Sequence, residues 1–175
     1  MNDESSMVEI YADGAASPNP GPGGYGVIIL KNSERAEFSG GYRKTTNNRM
    51  ELCAVIEGLR AVDGTPTITV YSDSRYVVDM VNGGYAKQWR DHGWMRNGRE
   101  RAENPDLWGQ LLDLCVIHNV TFKWVRGHNS NPENERCDEL AVAARQGGAL
   151  PPDSVYEASV KPKHEQTCFA LLELK

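Results

Sequence analysis

Three apolar runs of period two come before the first run of helical period, and this order constrains the fold more than any other feature. "MVEIYADG" alternates from Met7 and predicts a strand to about Asp13, where it meets a turn. "GYGVIIL" and "RAEFSGGYR" predict two more strands, joined by a turn at Lys31 to Ser33. Between the first two lies "SPNPGPGG", whose Pro, Gly and Asn residues exclude a regular element. Consecutive strands with such short connections form an antiparallel meander. A helix follows from about Asn48 to Val62, with apolar Met50, Ala54, Leu59 and Ala61 and a stop at Gly64. "TITVYSD" is a β-branched strand, and "SRYVVDMVN" is a short helix ended by Gly83 and Gly84. "NPDLWGQLLDLCVIHN" is an amphipathic helix with Pro105 in its first turn, and "VTFKWVRG" is a strand. "NPENERCDELAVAARQGG" is a last helix with Asn131 as cap, Pro132 at the first position and Gly147 as stop. The order βββαβααβα, with right-handed crossovers, predicts an α/β fold. Its mixed five-stranded sheet has the first three strands antiparallel, the last two parallel to the first, and helices on both faces.

A chain of 175 residues with 39% apolar content suits one domain with a real core. We expect that domain to span residues 1–150, with residues 151–175 as an extension. The extension is Pro-rich, then reads "TCFALLEL", and its state stays open. No segment approaches the roughly 20 apolar residues that cross a bilayer, so no membrane partner is expected. "MNDESSMVEI" is too polar and acidic for a signal peptide, which makes a cytoplasmic location the expectation. Cys53, Cys115, Cys137 and Cys168 form no C-x-x-C pair and read as free thiols rather than as disulfides or a zinc site.

The net charge of −5 argues mildly against a polyanionic partner, because phosphate binding needs cations. The average hides a patch. Between Tyr85 and Arg101, five cations (Lys87, Arg90, Arg96, Arg99 and Arg101) face only two acids, Asp91 and Glu100. Three rings, Tyr85, Trp89 and Trp94, interleave with them.

Asp13 ends the first strand and Asp73 the fourth. If those strands lie side by side and parallel, both carboxylates emerge at the sheet end where open α/β sheets bind ligands. Each alone also suits a turn or a cap. Glu51 falls at the fourth position of Asn48-x-x-Glu51, a capping-box spacing, and a first-turn acid is favoured by the helix dipole. Asp138 lies one turn past Glu135 and Asn134 on the last helix, where a solvated face would do as well. Converging carboxylates repel unless a cation sits between them, and hard oxygen donors suit Mg²⁺ or Mn²⁺. His128, between a strand end and the Asp138 helix, could move protons near neutral pH or be a surface loop residue.

Four stretches taken together, "DGAASPNPGPGGYG", "TTNNRMEL", "YSDSRYV" and "WVRGHNSNPENERCDELA", resemble bacterial type 1 ribonuclease H. The likeness covers about Val8 to Ala144 in the element order of that family. It implies a ribonuclease H-like fold and an endonuclease that hydrolyses the RNA strand of an RNA–DNA hybrid. It implies two Mg²⁺ ions, with Mn²⁺ as a substitute, on Asp13, Glu51, Asp73 and Asp138, and products with 5′-phosphate and 3′-hydroxyl ends. His128 falls on the family's loop histidine. Asn19, Thr46, Asn47, Asn48 and Arg75 fall on substrate contacts, and Tyr85–Arg101 on a basic protrusion. In the protrusion Lys87, Trp89, Arg90 and Trp94 would meet the DNA strand, with Thr46 and Arg90 as a phosphate pocket. The two tryptophans could equally be packing residues. Arg75 stands where many members carry Gln, Tyr85 where Trp is common, and Asn131 where well-known members have a second loop His. The expected assembly is a monomer, and the acidic charge predicts salt-sensitive hybrid binding. Two other readings stay open: a DNA nuclease of the same fold, resolvase- or integrase-like, and a non-catalytic hybrid-binding module.

Overall fold

The computed structural model describes residues 7–127 and 131–160. The sequence's three-strand meander is present. β1 (Met7–Ala16), β2 (Gly21–Lys31) and β3 (Glu34–Thr45) pair antiparallel in succession. α1 (Asn47–Arg60) carries the chain to β4 (Thr67–Ser72), which lies parallel to β1. α2 (Arg75–Asn82), α3 (Tyr85–Asp91) and α4 (Pro105–Ile117) lead to β5 (Asn119–Trp124), parallel to β4. α5 (Pro132–Arg145) and α6 (Ser154–Val160) complete the described chain. The sheet order is β3-β2-β1-β4-β5, the mixed sheet the sequence predicts.

Helices cover both faces. Leu52, Val55, Ile56 and Leu59 of α1 are buried with Ile10, Val27, Ile68 and Val70 of the sheet and Trp108 and Leu111 of α4. On the opposite face Cys137 of α5 packs with Tyr11 and Ile28. α5 can lie this low because a Cβ at Gly26 would run into the Cys137 carbonyl. Cys53, Cys115 and Cys137 are free thiols, while Cys168 lies outside the described residues.

The differences from the sequence reading have physical causes. β1 does not stop at Asp13 but runs to Ala16, because its partner strand continues through Gly23 and Gly24. Gly21–Gly24 of the expected loop are therefore strand, with an irregular register between Gly21 and Gly23. Cross-strand pairing overrides glycine's weak strand preference. Thr46, not Asn48, caps α1, accepting from Arg49 N at 3.4 Å. The basic segment contains a helix, α3, where the sequence reads only as a basic-aromatic stretch, although Ala86, Lys87, Gln88 and Arg90 are all good helix formers.

Residues past 150 also touch the body. Arg43 N donates to the Pro151 carbonyl at 2.9 Å, and Arg43 pairs with Glu157 of α6. Asp153, 5% exposed, accepts from Thr45 Oγ1 and from the Arg49 guanidinium. No helix among the described residues is long and apolar enough to cross a membrane.

Candidate active site

The parallel register of β1 and β4 sets Tyr11 beside Tyr71. Two residues further on, Asp13 and Asp73 leave the two adjacent strands at the same sheet end. Asp13 faces out from within β1, with Oδ1 accepting from Gly14 N at 2.7 Å. Gly14 matters here: a Cβ would collide with the Met50 backbone and the Glu51 nitrogen. The first turn of α1 thus rests directly on β1, which brings Glu51 into the neighbourhood of Asp13. α5 brings Asp138. Asp13, Asp73 and Asp138 line one cleft of about 270 Å³ with Asn134, Glu135 and Glu139. Glu51 is not in that lining; it joins through charge.

That charge coupling is visible in the protonation of the site. Burial pushes the Asp13 carboxyl up to about 7, and the charges of Asp73, Asp138 and Glu51 push the same way against the Gly14 N–H. Burial likewise raises Glu51 to about 7, with Asp73 adding to the rise and the Ser74 hydroxyl opposing it. Four acids therefore share one electrostatic field. Even so, among the described residues no three His, Cys, Asp or Glu side chains form a ready metal cage. Glu51 accepts from Ser74 Oγ, and Asp73 Oδ2 accepts from Asn134 Nδ2 at 3.3 Å. Neutral donors hold the acids where like charges would otherwise meet. The donor set still fits a hard divalent cation, since it consists of carboxylate oxygens, and burial with neighbouring acids opposes the ionisation of Asp13 and Glu51.

The remaining sequence candidates fall in three places. Asn19, Thr46, Asn47 and Asn48 cluster at the start of α1. Asn47 N donates to Asn19 Oδ1 at 3.2 Å, and Ala16 N donates to Asn47 Oδ1 at 2.6 Å. The Pro/Gly loop, β1 and α1 are stitched together by these two amides, whose carbonyl oxygens accept both bonds. Arg75 stands at the start of α2, two residues past Asp73, stacked on Trp124. Lys87, Trp89, Arg90 and Trp94 lie apart from the carboxylates, in and after α3. There Lys87 pairs with Asp91 at 2.6 Å and Arg90 with Asp113 at 2.9 Å. Trp89 meets Trp108 edge to face at 6.0 Å, and both Trp89 and Trp94 are half-buried against the main core. Packing is thus at least part of their role. His128 lies outside the described residues.

The structure adds residues the sequence reading passed over. Asn134, 3% exposed, keeps its Oδ1 buried without a partner while its amide holds Asp73. It sits one turn before Asp138, and that i−4 spacing was the signal for a shared face. Ser74 caps α2 through Val77 N and also reaches Glu51. Trp124 donates to the Asp73 carbonyl at 2.9 Å.

A sheet of order 3-2-1-4-5, with one carboxylate within its first strand, one just past its fourth and one on each of the two helices facing them, defines the ribonuclease H-like class of nucleases. The RNase H family pattern matches residues 5–146. The chain is 56% identical over 90% of its length to the whole of a ribonuclease H of Trichodesmium erythraeum (strain IMS101). Among solved structures it resembles LC9-RNase H1, a type 1 RNase H with the type 2 active-site motif. That likeness has a TM-score of 0.73 and 28% identity, over 93% of this chain and 85% of that one. LC11-RNase H1, solved in complex with RNA/DNA hybrid, aligns with a TM-score of 0.60 and 24% identity, over 79% and 96%. The chain belongs to the ribonuclease H family, and it is an enzyme with ribonuclease H activity.

Proposed function

We propose that the protein is an endonuclease that cuts the RNA strand of RNA–DNA hybrids at the carboxylate cleft, leaving 5′-phosphate and 3′-hydroxyl ends. The observation that carries this reading is the mutual charge interaction of Asp13 with Asp73, Asp138 and Glu51 at one sheet end. Acids gathered to face a polyanion are counterproductive for binding alone, so they argue for cation-assisted hydrolysis. Asp13, Glu51, Asp73 and Asp138 would hold two Mg²⁺ ions, with Mn²⁺ able to replace them. When bound, these ions supply an activated water and charge stabilisation for the leaving 3′ oxygen. Ser74 and Asn134 keep Glu51 and Asp73 oriented. His128 is assigned to proton transfer or product release.

Substrate selection belongs to the surroundings of the cleft. A hybrid is recognised by shape and by the RNA 2′-hydroxyl rather than by base sequence. Asn19, Thr46, Asn47 and Asn48 would meet the RNA strand beside Glu51. Lys87, Arg90 and the half-buried rings of Trp89 and Trp94 form the surface for DNA phosphates. The hybrid complex of LC11-RNase H1 supports this partner. Clearance of replication primers and of R-loops in the cytoplasm, by a monomer, is the biological setting this activity fits.

The test offers end-labelled RNA–DNA hybrid, duplex RNA and duplex DNA, each with Mg²⁺ or with chelator. Metal-dependent cutting of the hybrid's RNA strand alone is expected. Equal cutting of duplex DNA would replace this reading with a DNA nuclease, and binding without cutting would replace it with a non-catalytic module.

A further inference from the structure

Arg75 opens α2, where a cation faces the positive end of the helix dipole, so local electrostatics do not account for it. Its ion pair with Asp79 is 3.5 Å long and leaves 61% of the Arg75 side chain exposed. Exposed pairs of this kind fix a side chain weakly. Trp124 holds it better. The guanidinium carbon lies 3.8 Å from the centroid of the indole, over its electron-rich face. The same indole donates Nε1–H to the Asp73 carbonyl at 2.9 Å. Trp124 ends β5 and is 39% exposed, an unusual position for a ring of that size unless its face has work outside the core. The chain beyond it closes on the same turn. Val125 N donates to the Ser72 carbonyl at 3.0 Å, and a Cβ on Gly127 would strike the Asp73 carboxylate. One side chain therefore ties a cleft carboxylate's backbone to a cation two residues away.

We propose that Trp124 is a positioning residue for the substrate: its ring presents the Arg75 guanidinium to a backbone phosphate of the hybrid, and its N–H fixes the Asp73 turn. This rests on the reading of the cleft as the site where a hybrid is cut. A guanidinium stacked by its face keeps its edge N–H donors free to fork onto phosphate oxygens. A Gln at position 75 would offer one amide and no charge.

Counterion release separates this role from mere packing. Each phosphate neutralised contributes about 0.7–0.9 to the slope of log affinity against log salt. Hybrid binding by the full chain is measured across a salt series, with chelator present to prevent cutting. Arg75→Gln should flatten the slope by about one phosphate. Trp124→Leu should flatten it equally, and the double variant no further. Trp124→Phe keeps a ring under Arg75 and should retain the slope, while losing the N–H to Asp73 and so lowering kcat in Mg²⁺. A Trp124→Leu protein with the unaltered slope, or a double variant with additive loss, overturns the proposal while leaving hybrid cleavage by the unaltered chain intact. An unaltered chain that neither binds nor cuts the hybrid overturns the functional reading with it.

Discussion

Asp13 is held in unfavourable electrostatics, buried beside three other acids, and that makes it an informative single residue. Its carboxyl is raised to about 7 by burial first and by three neighbouring acids next. Asp13→Asn removes that burden along with a proposed metal ligand. Cleavage should fall below detection, and in chelator at pH 8 the variant should melt higher than the unaltered chain, by roughly 1–3 kcal/mol of stability. A thermal melt beside a hybrid-cleavage assay checks both, and an active Asp13→Asn protein would remove Asp13 from the site. Ser74 is the complementary case, because its hydroxyl serves α2 and Glu51 together. Ser74→Ala should cost about 1 kcal/mol through the lost cap and should slow cleavage as well. Ser74→Thr should restore both, and recovery of stability without recovery of rate would detach Ser74 from Glu51.

At the scale of elements, the N-terminal turn of α1 is held by an ion network the sequence did not announce. Arg49, 4% exposed, donates Nε and Nη2 to Asp153 at 2.6 and 2.9 Å and a fork to Asp106 at 3.0 and 2.8 Å. Three elements meet there: α1 with its cap Thr46, the start of α4, and the segment entering α6. Asp153→Ala takes one of two acids from the buried Arg49, so it should destabilise by up to about 3–5 kcal/mol, the cost of breaking a buried pair. Denaturant unfolding would measure it, and a loss under 1 kcal/mol would show that Asp106 alone satisfies Arg49. This network also marks where sequence reading stops. Period and punctuation suffice for the five strands, for α1, α2, α4 and α5, and for the Asn131 cap, because those signals are local. Asp13, Asp73, Glu51 and Asp138 were legible as a set only through the family resemblance that four motifs carry together, since each satisfies an ordinary local role. Asp153, Trp124 and the true α1 cap were not legible, because their partners lie tens of residues away or compete within one turn.

Over the whole molecule, the site's raised carboxyls couple proton, cation and fold. Asp13 rises from 3.8 to about 7 and Glu51 from 4.5 to about 7, so the folded chain holds these protons more tightly than the unfolded chain does. Their contribution to stability is therefore full below about pH 4 and is lost as pH climbs through about 7. The cation-free protein should lose melting temperature across that window, as two buried acids are forced to ionise beside Asp73. A divalent cation binds only the ionised acids, so it competes with the protons and should bind tighter as pH rises. Mg²⁺ should thus leave the melting temperature unchanged near pH 5 and raise it at pH 8, by an amount that grows with its concentration. In Asp13→Asn both the pH-dependent loss and the Mg²⁺ gain should shrink together. Melting curves at pH 5, 6.5 and 8, with chelator and with a Mg²⁺ series, decide it. An equal Mg²⁺ gain at all three pH values would place the cation away from Asp13 and Glu51, and would leave their shared field without the role assigned to it.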